Sequence, residues 1–490
     1  MVSPAVLRIA PVVNVFSTIV MLFSLTMTAP LIVAYIYDDA ALRTYDQSIL
    51  TTFAAGALMR LVTMHRKREL QPRDGFLLVF LVWTILPAFA TLPLMLYIPG
   101  LSFTDAYFET VSGITTTGAT VLANLDELPH SINFWRCELV WLGGMGLIVL
   151  AVAILPLLGV GGMQLYKAET PGPMKDAKLT PRITETAKGL WLLYAGITLA
   201  CILAFRLAGM NWFDAICHAF ATMGLGGFST HDASFGFFNS PLIESVTIVF
   251  MLIAGINFAT HFQAYRGRSA RPYRADPEAG LFVLITLASC VLIAGYLWAN
   301  GVYPDFMTAL RYASFNTVSI ATTTGFSSTD YNLWPIFAPL WMLLLCCFAS
   351  SSGSTGGGIK MIRALLLVRQ GLRELVKLVH PRAQVVIKLG GAVVPNEIVY
   401  AVLAFMSIYG ACVITMTFLL VGTGLDLISA FSAVIASINN TGPGLNQVGP
   451  ATTYAALSDF QTWVCTIAML LGRLELFTLL IIFTPTFWRR

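Results

Sequence analysis

Charged residues are scarce in this sequence. They form 11% of its 490 residues, whereas soluble globular domains carry roughly 25%. Apolar residues form 57% of the chain, and the mean hydropathy is +0.76. A water-facing surface must be polar over much of its area, and disorder requires low hydrophobicity. The composition therefore excludes a soluble protein and a disordered chain, and it predicts a polytopic membrane protein.

The cysteines lack the spacing of a metal site or of a disulfide framework. No Cys-x-x-Cys pair occurs, and most of the eight fall inside apolar runs. They are Cys137, Cys201, Cys217, Cys290, Cys346, Cys347, Cys412 and Cys465. We expect small buried apolar side chains at these positions.

Several other signatures are also missing. The six histidines share no metal-binding spacing, and His218 is expected to pack in a short apolar helix. No Gly-x-Gly-x-x-Gly fingerprint with a following acidic residue occurs. The start, Met1–Ala10, lacks a basic region followed by a cleavage site, so the first apolar run is expected to be retained. No catalytic constellation is visible at membrane depth, so we expect neither an enzyme, nor an organic cofactor, nor a nucleic-acid partner.

Long apolar runs take up most of the chain. A bilayer core requires about 20 apolar residues per helix. Ten such runs lie near residues 9–36, 46–65, 76–98, 134–161, 187–208, 241–264, 280–300, 335–370, 395–421 and 460–487. Serines and glycines at Ser350–Gly358 interrupt the eighth run. Helices are expected, because lipid offers the backbone of an isolated span no other partners.

Basic residues are distributed asymmetrically between the connections. Those after spans 2, 4, 6 and 8, together with both termini, hold 24 of the 29 lysines and arginines. These segments are Arg60–Arg73, Lys167–Lys188, Arg266–Arg274 and Lys360–Lys388, with Arg8, Arg489 and Arg490. The positive-inside rule then places both termini in the cytoplasm. Acidic residues lie mostly on the opposite side. Their charge would concentrate cations near an external mouth of a pore. The alternative is that the outer loops merely lack basic residues and have no such role.

Four segments between successive spans share one pattern and align without gaps. They are Asp105–Thr120, Asp214–Ser229, Tyr312–Ser327 and Ser429–Gly444. One column holds Gly118, Gly227, Gly325 and Gly442, and the column twelve residues earlier holds Ala106, Ala215, Ala313 and Ala430. The pattern predicts a fourfold repeat of span, short apolar stretch, glycine-containing turn and span. Spans 1 and 2 fall outside the repeat as an added hairpin.

The short apolar stretches have ten to twelve residues and cannot cross a bilayer, so we expect re-entrant half-helices. The non-helical backbone after each must lie within protein or along a water-filled pathway. Glycine admits backbone angles that turn successive carbonyl groups one way, and four converging sets can replace the hydration shell of a monovalent cation. Glycines that merely pack helices are the alternative.

These motifs resemble the Trk/Ktr/HKT superfamily of potassium transporters, most closely its bacterial TrkH-type branch, over about residues 10–487. The resemblance implies an all-α polytopic membrane protein. Four pseudo-repeated M1–pore helix–M2 units would surround one central pore, with an N-terminal two-helix hairpin. The hairpin would comprise residues 1–70, and the four pore repeats residues 71–170, 171–270, 271–385 and 386–490.

Carried over position by position, the resemblance implies a potassium filter at the glycine column. Its residues would be Thr116, Thr117, Gly118, Leu225, Gly226, Gly227, Thr323, Thr324, Gly325, Asn440, Thr441 and Gly442. The second loop has no hydroxyl just before its last glycine. We therefore expect a less equal site and lower selectivity than in a tetrameric potassium channel.

The interruption at Ser350–Gly358 is not a phosphate-binding loop, because Ile359 separates Gly358 from Lys360 and no strand precedes it. Non-helical backbone at membrane depth is expected to line a cavity. The resemblance implies an intramembrane gate beneath the filter, and a plain helix break is the alternative. The implied gate residues are Gly353, Gly356, Gly357, Gly358, Lys360 and Arg473.

Arg473 lies in the otherwise apolar last span, where a buried charge is costly. Glu475 is two residues away and does not share its helical face. The resemblance implies that the guanidinium faces the pore below the filter and raises a barrier to cations. Snorkelling to the cytoplasmic headgroups is the alternative.

The leading hypothesis is potassium-selective uptake through a passive pore, and a sodium- or proton-coupled symporter is the alternative. Coupling usually requires paired titratable groups at mid-membrane, and these spans hold few. The basic linker Met361–Val394 would meet anionic lipid headgroups, or, as the resemblance implies, a cytosolic nucleotide-binding ring of the TrkA type. The resemblance also implies a homodimer in the bacterial cytoplasmic (inner) membrane, with potassium as the transported ion.

Overall fold

The computed structural model of the chain describes residues 4–65, 71–149 and 183–488. The end of the fourth predicted span, the basic stretch 167–182 and the terminal Arg489 and Arg490 lie outside these ranges. The α-helices of the described part are Pro4–Thr26, Thr28–Ile36, Leu42–Thr63, Pro72–Thr84, Leu86–Ala90, Leu92–Tyr97, Phe103–Ile114, His130–Val149, Ile183–Leu207, Trp212–Gly224, Pro241–Gly255, Phe258–Gly267, Arg271–Ala275, Ala279–Ala299, Phe306–Ala321, Phe337–Phe348, Met361–Val379, Asn396–Gly422, Leu427–Ile438, Asp459–Arg473, Glu475–Leu480 and Pro485–Trp488.

Other regular structure in these ranges is short. Lys388–Leu389 and Ala392–Val393 form an antiparallel hairpin. Single 3-10 turns occupy Leu125–Glu127, Ser234–Phe237, Tyr331–Leu333, Asn446–Val448, Tyr454–Ala456 and Ile481–Phe483. The predicted all-α class is confirmed by this content and by the structural comparison reported below.

Five helical stretches of the described residues are long and apolar enough to cross a membrane, and two bent pairs also qualify when each pair counts as one span. The helices Leu42–Thr63, His130–Val149 and Phe337–Phe348 occupy the other three predicted runs. The last has only twelve residues, because the serine- and glycine-rich stretch ends it. For these three runs the span assignment stays a prediction.

The sixth predicted span is not one straight helix. It bends by 93° between Gly255 and Phe258, where Asn257 caps the second half by accepting a hydrogen bond from the backbone N–H of Ala259. The tenth bends by 100° after Arg473. The mean hydropathy of each run did not reveal its break, because hydropathy does not report the direction of the chain.

Each repeat contains a short helix that begins at a capping side chain. We name them pore helices 1 to 4: Phe103–Ile114, Trp212–Gly224, Phe306–Ala321 and Leu427–Ile438. Ser102, Asn211, Asp305 and Asp426 each accept a hydrogen bond from the backbone N–H three residues later. The helices have 12 to 16 residues, so the second, with 13, and the third, with 16, are longer than the expected ten to twelve. Their C-terminal ends, which carry the negative end of the helix dipole, lead into the glycine-containing turns.

The N-terminal hairpin packs on the first repeat. The Tyr45 hydroxyl, fully buried, donates to the Ser131 carbonyl oxygen at 2.9 Å. A Cβ atom built on Gly56 would lie 2.7 Å from Cγ of Met21, so the two hairpin helices approach closely there. Six of the eight cysteines are buried and the other two are half-buried, and none is bonded to another.

Candidate functional site: filter ring and gate loop

The glycine-containing turns meet in a closed ring. We name them filter loops 1 to 4: residues 116–118, 225–227, 323–325 and 440–442. A Cβ atom built on each ring glycine would lie within 2.7 Å of the backbone of the next loop, for the pairs Gly118–Gly227, Gly227–Gly325, Gly325–Thr441 and Gly442–Thr117. The contacts run from loop 1 through 2, 3 and 4 back to 1. The order of the repeats in the chain is therefore their order around one centre.

The filter loops share an unusual backbone conformation. The residue two before each ring glycine is left-handed, with φ between 53° and 61°, at Thr116, Leu225, Thr323 and Asn440. This costs an L-residue about 1–2 kcal/mol, and such strain collects at functional sites. Gly118, Gly325 and Gly442 also have positive φ, whereas Gly227 does not. The second loop thus departs from the others in backbone as well as in sequence.

Most carbonyl oxygens of the filter loops are available to a ligand. No described residue donates a hydrogen bond to the carbonyls of Thr116, Thr117, Gly118, Leu225, Gly227, Thr323, Gly325, Asn440 and Thr441. Three others are occupied. Phe228 N–H donates to Gly226 at 2.6 Å, the Tyr454 hydroxyl to Gly442 at 2.8 Å, and Gly227 N–H to Thr324. The ring offers oxygen ligands from every repeat, but not an equal set.

A cavity of ≈ 390 Å³ adjoins the ring. Gly118, Gly227 and Gly325 line it together with external-loop residues such as Asp232 and Thr453. It therefore joins the filter loops to the loops that follow them, as an outer vestibule would.

His231 forms a charge cluster at the rim of this cavity. Its Nδ1 pairs with Asp126 Oδ1, and its Nε2 lies 3.3 Å from Asp214 Oδ2. The ring stacks on Phe237 at 3.5 Å, and the His218 ring lies 6.3 Å away. Burial lowers the pKa of His231, but the hydrogen bonds and charges of Asp214 and Asp126 outweigh it, so that the pKa is raised above its usual value.

This cluster makes the stability of the outer loops dependent on pH. A histidine with a raised pKa contributes its full stabilisation below its unfolded pKa of about 6.5 and loses it as the pH rises through the folded value. As the pH rises through the folded pKa of His231, we expect the unfolding temperature in detergent to fall by about 1–2 °C more in the wild type than in His231→Gln. Differential scanning fluorimetry measures the unfolding temperature at each pH. The same dependence on pH in both proteins would show that His231 forms no ionic interaction with Asp126 and Asp214.

The serine- and glycine-rich segment, the gate loop (residues 350–360), lies against filter loops 3 and 4. Gly357 N–H donates to the Thr323 hydroxyl at 2.8 Å. A Cβ atom on Gly356 would lie 2.9 Å from the Thr322 carbonyl oxygen, and one on Gly357 would overlap that of Asn439. Larger residues at these two glycines would push the gate loop away from filter loops 3 and 4.

The gate loop also contacts repeats 1 and 2. The Thr355 hydroxyl donates to the Met223 carbonyl at the end of pore helix 2, at 2.9 Å, and a Cβ atom on Gly144 would lie 3.4 Å from Thr355 Cγ2. The gate loop therefore contacts all four repeats close to the ring.

Arg473 holds the gate loop. Its guanidinium is buried and donates to the Thr355 carbonyl at 3.0 Å and to the Gly143 carbonyl at 3.1 Å. It makes no pair with Glu475, as predicted, because Glu475 binds Arg363. The side chain thus lies among backbone carbonyls of the gate loop and repeat 1, and the snorkelling alternative is not observed.

Lys360 closes the gate loop on itself. Its Nζ donates to the Gly356 carbonyl, and its own φ is +77°. The loop is further anchored at residues that sequence reasoning missed: Ser352 N–H donates to Glu278 Oε2 at 2.8 Å, and Phe258 N–H to the Gly353 carbonyl at 3.0 Å. The one available signal for Glu278 was its place as the last acidic residue before the apolar run of the seventh span.

The helix after the gate loop, Met361–Val379, is amphipathic. Arg363 and Arg373 are buried, and Arg373 donates to Asn396 Oδ1 at 2.7 Å. The exposed face is largely apolar, with Val368, Leu372, Leu375, Val376, Leu378 and Val379. Two of the basic residues of Met361–Val379 therefore lie inside the protein, and the contact of the basic linker with lipid or with a cytosolic ring stays a prediction.

His218 packs as predicted. It is fully buried in pore helix 2, with Nδ1 at 2.8 Å from the Asp214 carbonyl and Nε2 at 2.9 Å from Ser229 Oγ. Among the described residues, no group of three or more histidine, cysteine, aspartate or glutamate side chains is arranged to hold a metal ion.

Four short capped helices whose glycine-containing turns meet in one ring, among helices apolar enough to cross a membrane, are typical of membrane transport proteins with repeated pore loops. A model of the TrkH family, described as a cation transport protein, matches residues 43–490, and the chain belongs to this family. The predicted resemblance is therefore confirmed. The family consists of transporters, not enzymes, and the chain is an integral membrane protein.

Individual relatives match over nearly the full length. The "Trk system potassium uptake protein TrkH" of Salmonella typhimurium is 48% identical over 479 residues, which cover 98% of this chain and 99% of that protein. The "Trk system potassium uptake protein TrkG" of Escherichia coli K12 is 38% identical over 472 residues, 96% of this chain and 97% of that one. The crystal structure of the potassium transporter TrkH from Vibrio parahaemolyticus superposes with a TM-score of 0.90, at 46% identity, and covers 98% of this chain and 99% of that chain.

Proposed function

We propose that this protein takes up potassium through a single pore whose filter is the ring of backbone carbonyls from the four filter loops. The observation that carries the proposal is the closed ring of glycine contacts, with unoccupied carbonyl oxygens contributed by every repeat. Carbonyl ligands replace the hydration shell of a monovalent cation. The relatives' names specify potassium uptake.

The coordination in this filter is unequal. The Gly226 and Thr324 carbonyls are engaged by protein N–H groups, and Leu225 brings no hydroxyl. The Gly442 carbonyl accepts from the Tyr454 hydroxyl as well. Loops 2, 3 and 4 each then present fewer free carbonyl oxygens than loop 1, and the discrimination between potassium and sodium is lower than four identical loops would provide.

Uptake is passive in this proposal. A negative-inside potential contributes about 2.3 kcal/mol per 100 mV for each positive charge that enters. The distribution of basic residues supports a cytoplasmic location for both termini, and the membrane is the bacterial inner membrane. The domain division into residues 1–70, 71–170, 171–270, 271–385 and 386–490 belongs to the same proposal.

The gate loop closes the pore below the filter, with Arg473 and Lys360 holding it in place. The contacts to all four repeats support this role, because displacement of the loop breaks them together. A cytosolic nucleotide-binding ring of the TrkA type shifts the loop, as the "Trk system" in the relatives' names suggests. The protein works as a homodimer in contact with membrane lipid, each protomer with its own pore.

The proposed function is tested with the purified chain in liposomes. Rubidium, potassium and sodium uptake are measured with a potassium diffusion potential, negative inside. Uptake of rubidium and potassium well above that of sodium supports the proposal. Equal uptake of all three ions, or none, contradicts it, and uptake that requires a fixed sodium or proton stoichiometry favours a symporter.

Removal of the Glu278 anchor should loosen the gate. Glu278→Ala deletes the acceptor for Ser352 N–H, and an unsatisfied buried donor costs about 1–3 kcal/mol. We expect the rubidium flux of the chain alone to rise about fivefold, since a less stable closed loop is displaced more often. Glu374→Ala, at an exposed acidic residue of the following helix, is the matched control. If Glu278→Ala and Glu374→Ala show the same rubidium flux, Glu278 does not stabilise the closed gate loop.

A further inference from the structure

In each repeat, a side chain of the pore helix forms a hydrogen bond to the segment that follows the filter loop of the same repeat. We name this hydrogen bond the brace. The residue nine before the ring glycine is polar and buried in three repeats, at Glu109, His218 and Asn316. Each binds a residue two or three positions after that glycine. Glu109 Oε2 accepts from Val121 N–H at 3.0 Å, His218 Nε2 lies 2.9 Å from Ser229 Oγ, and Asn316 Oδ1 accepts from Ser328 N–H at 3.2 Å.

The fourth repeat makes the same brace from a neighbouring position. Alanine stands at 433, and the hydroxyl of Ser432 accepts from Leu445 N–H at 2.8 Å. Leu445 lies three residues after Gly442. The fourth repeat keeps this hydrogen bond although it has no polar residue at the aligned position. We infer that the turn after the filter loop requires the bond.

Among the four side chains that form a brace, only Glu109 also forms an ion pair. Glu109 Oε1 lies 2.8 Å from Arg136 Nε, and both side chains are 1% exposed. Glu109 also accepts from the Thr120 hydroxyl at 2.9 Å. A buried charge left without its partner is strongly destabilising, so this brace is stiffer and less tolerant of loss than the other three.

Arg136 extends the brace to the second repeat. Its Nη1 donates to the Ser229 carbonyl at 3.1 Å, and its guanidinium lies over the Phe228 ring at 4.4 Å. Ser229 is also the residue that His218 holds. One guanidinium therefore connects filter loop 1 to filter loop 2, which lacks both the hydroxyl and the positive-φ glycine of the others.

We propose that Glu109 and Arg136 are positioning residues that determine potassium-over-sodium discrimination by fixing the distance between filter loops 1 and 2. The inference rests on the proposed potassium filter. A cage of carbonyl oxygens discriminates between ions only while its oxygens stay where the larger ion needs them. The segment after filter loop 2 is held by His218 of its own repeat and by Arg136 of repeat 1, so the guanidinium of Arg136 sets its position relative to loop 1.

The test compares rubidium and sodium uptake into liposomes by the full chain and by two variants. Glu109→Gln keeps the shape and removes the charge, and Arg136→Lys keeps the charge but cannot bridge Glu109 and the Ser229 carbonyl in a fixed fork. For each we expect the rubidium-to-sodium ratio to fall about tenfold, mainly through faster sodium entry, while rubidium uptake changes little. A merely structural role would lower both fluxes together.

Arg60→Gln is the matched control. Arg60 donates to the Thr18 hydroxyl at 2.7 Å within the N-terminal hairpin, outside the pore helices and filter loops, so its ratio should equal that of the wild type. If Glu109→Gln does not fold, Arg136→Lys alone decides. A wild-type ratio in the folded variants overturns the inference and leaves the potassium filter intact. A wild type that does not discriminate overturns both.

Discussion

Gly325→Ala is expected to reduce selective potassium uptake about 100-fold, a barrier of about 2.7 kcal/mol. A Cβ atom at this position would overlap the Thr441 carbonyl oxygen of the neighbouring loop, and φ is +89°. Neither the space nor the backbone angle admits an L side chain. Loop 3 must move, and its carbonyls leave the ring.

The measurement is rubidium uptake by the reconstituted chain. Gly295→Ala is the control, because a Cβ atom there meets nothing within 4 Å and lies in a helix of the same repeat, where alanine is the better residue. Wild-type uptake in the control with loss in Gly325→Ala locates the filter at the ring. Unchanged selective uptake by Gly325→Ala would place the ion pathway elsewhere.

Arg473→Ala is expected to raise the potassium flux of the chain alone about tenfold. The substitution removes two hydrogen bonds that tie the gate loop to repeat 4 and repeat 1. Under the proposed function, it also removes a positive charge that would repel cations below the filter. Both changes act in the same direction, since the closed loop loses its support and the cation loses a barrier.

A second variant separates the two contributions. Deletion of Gly356–Gly358 leaves Arg473 in place and shortens the segment that packs against Thr322 and Asn439. It should also raise the flux. Arg369→Ala, at an exposed basic residue of the following helix, should not. If Arg473→Ala and the deletion both show the same flux as Arg369→Ala, the gate loop does not act as a gate and is a plain break in the helix.

The four ring glycines could be located from the sequence because their requirement is local. A turn that needs positive φ selects glycine wherever it occurs, so a gapless alignment found Gly118, Gly325 and Gly442. It also found Gly227, which holds its column without the positive φ. The sequence exception at loop 2 was visible in advance, but its structural consequence was not.

Other functional residues were missed although a signal existed. The rule that singled out Arg473, a charge in an apolar segment, applies equally to Arg136 and Glu109. Their positions near the outer side allowed a reading as loop residues, whereas both are 1% exposed. Asn257 and the break beside it left no such signal, because the flanking residues are apolar.

The sequence by itself determined the membrane class, the fourfold repeat and the position of every ring glycine. These follow from composition, run length and local backbone preference, which each stretch of chain carries alone. The tertiary structure alone decided which carbonyls remain free, which loops are neighbours, and what holds the gate. Those contacts join residues as distant as Gly143 and Arg473, and no local preference encodes a partner 330 positions away.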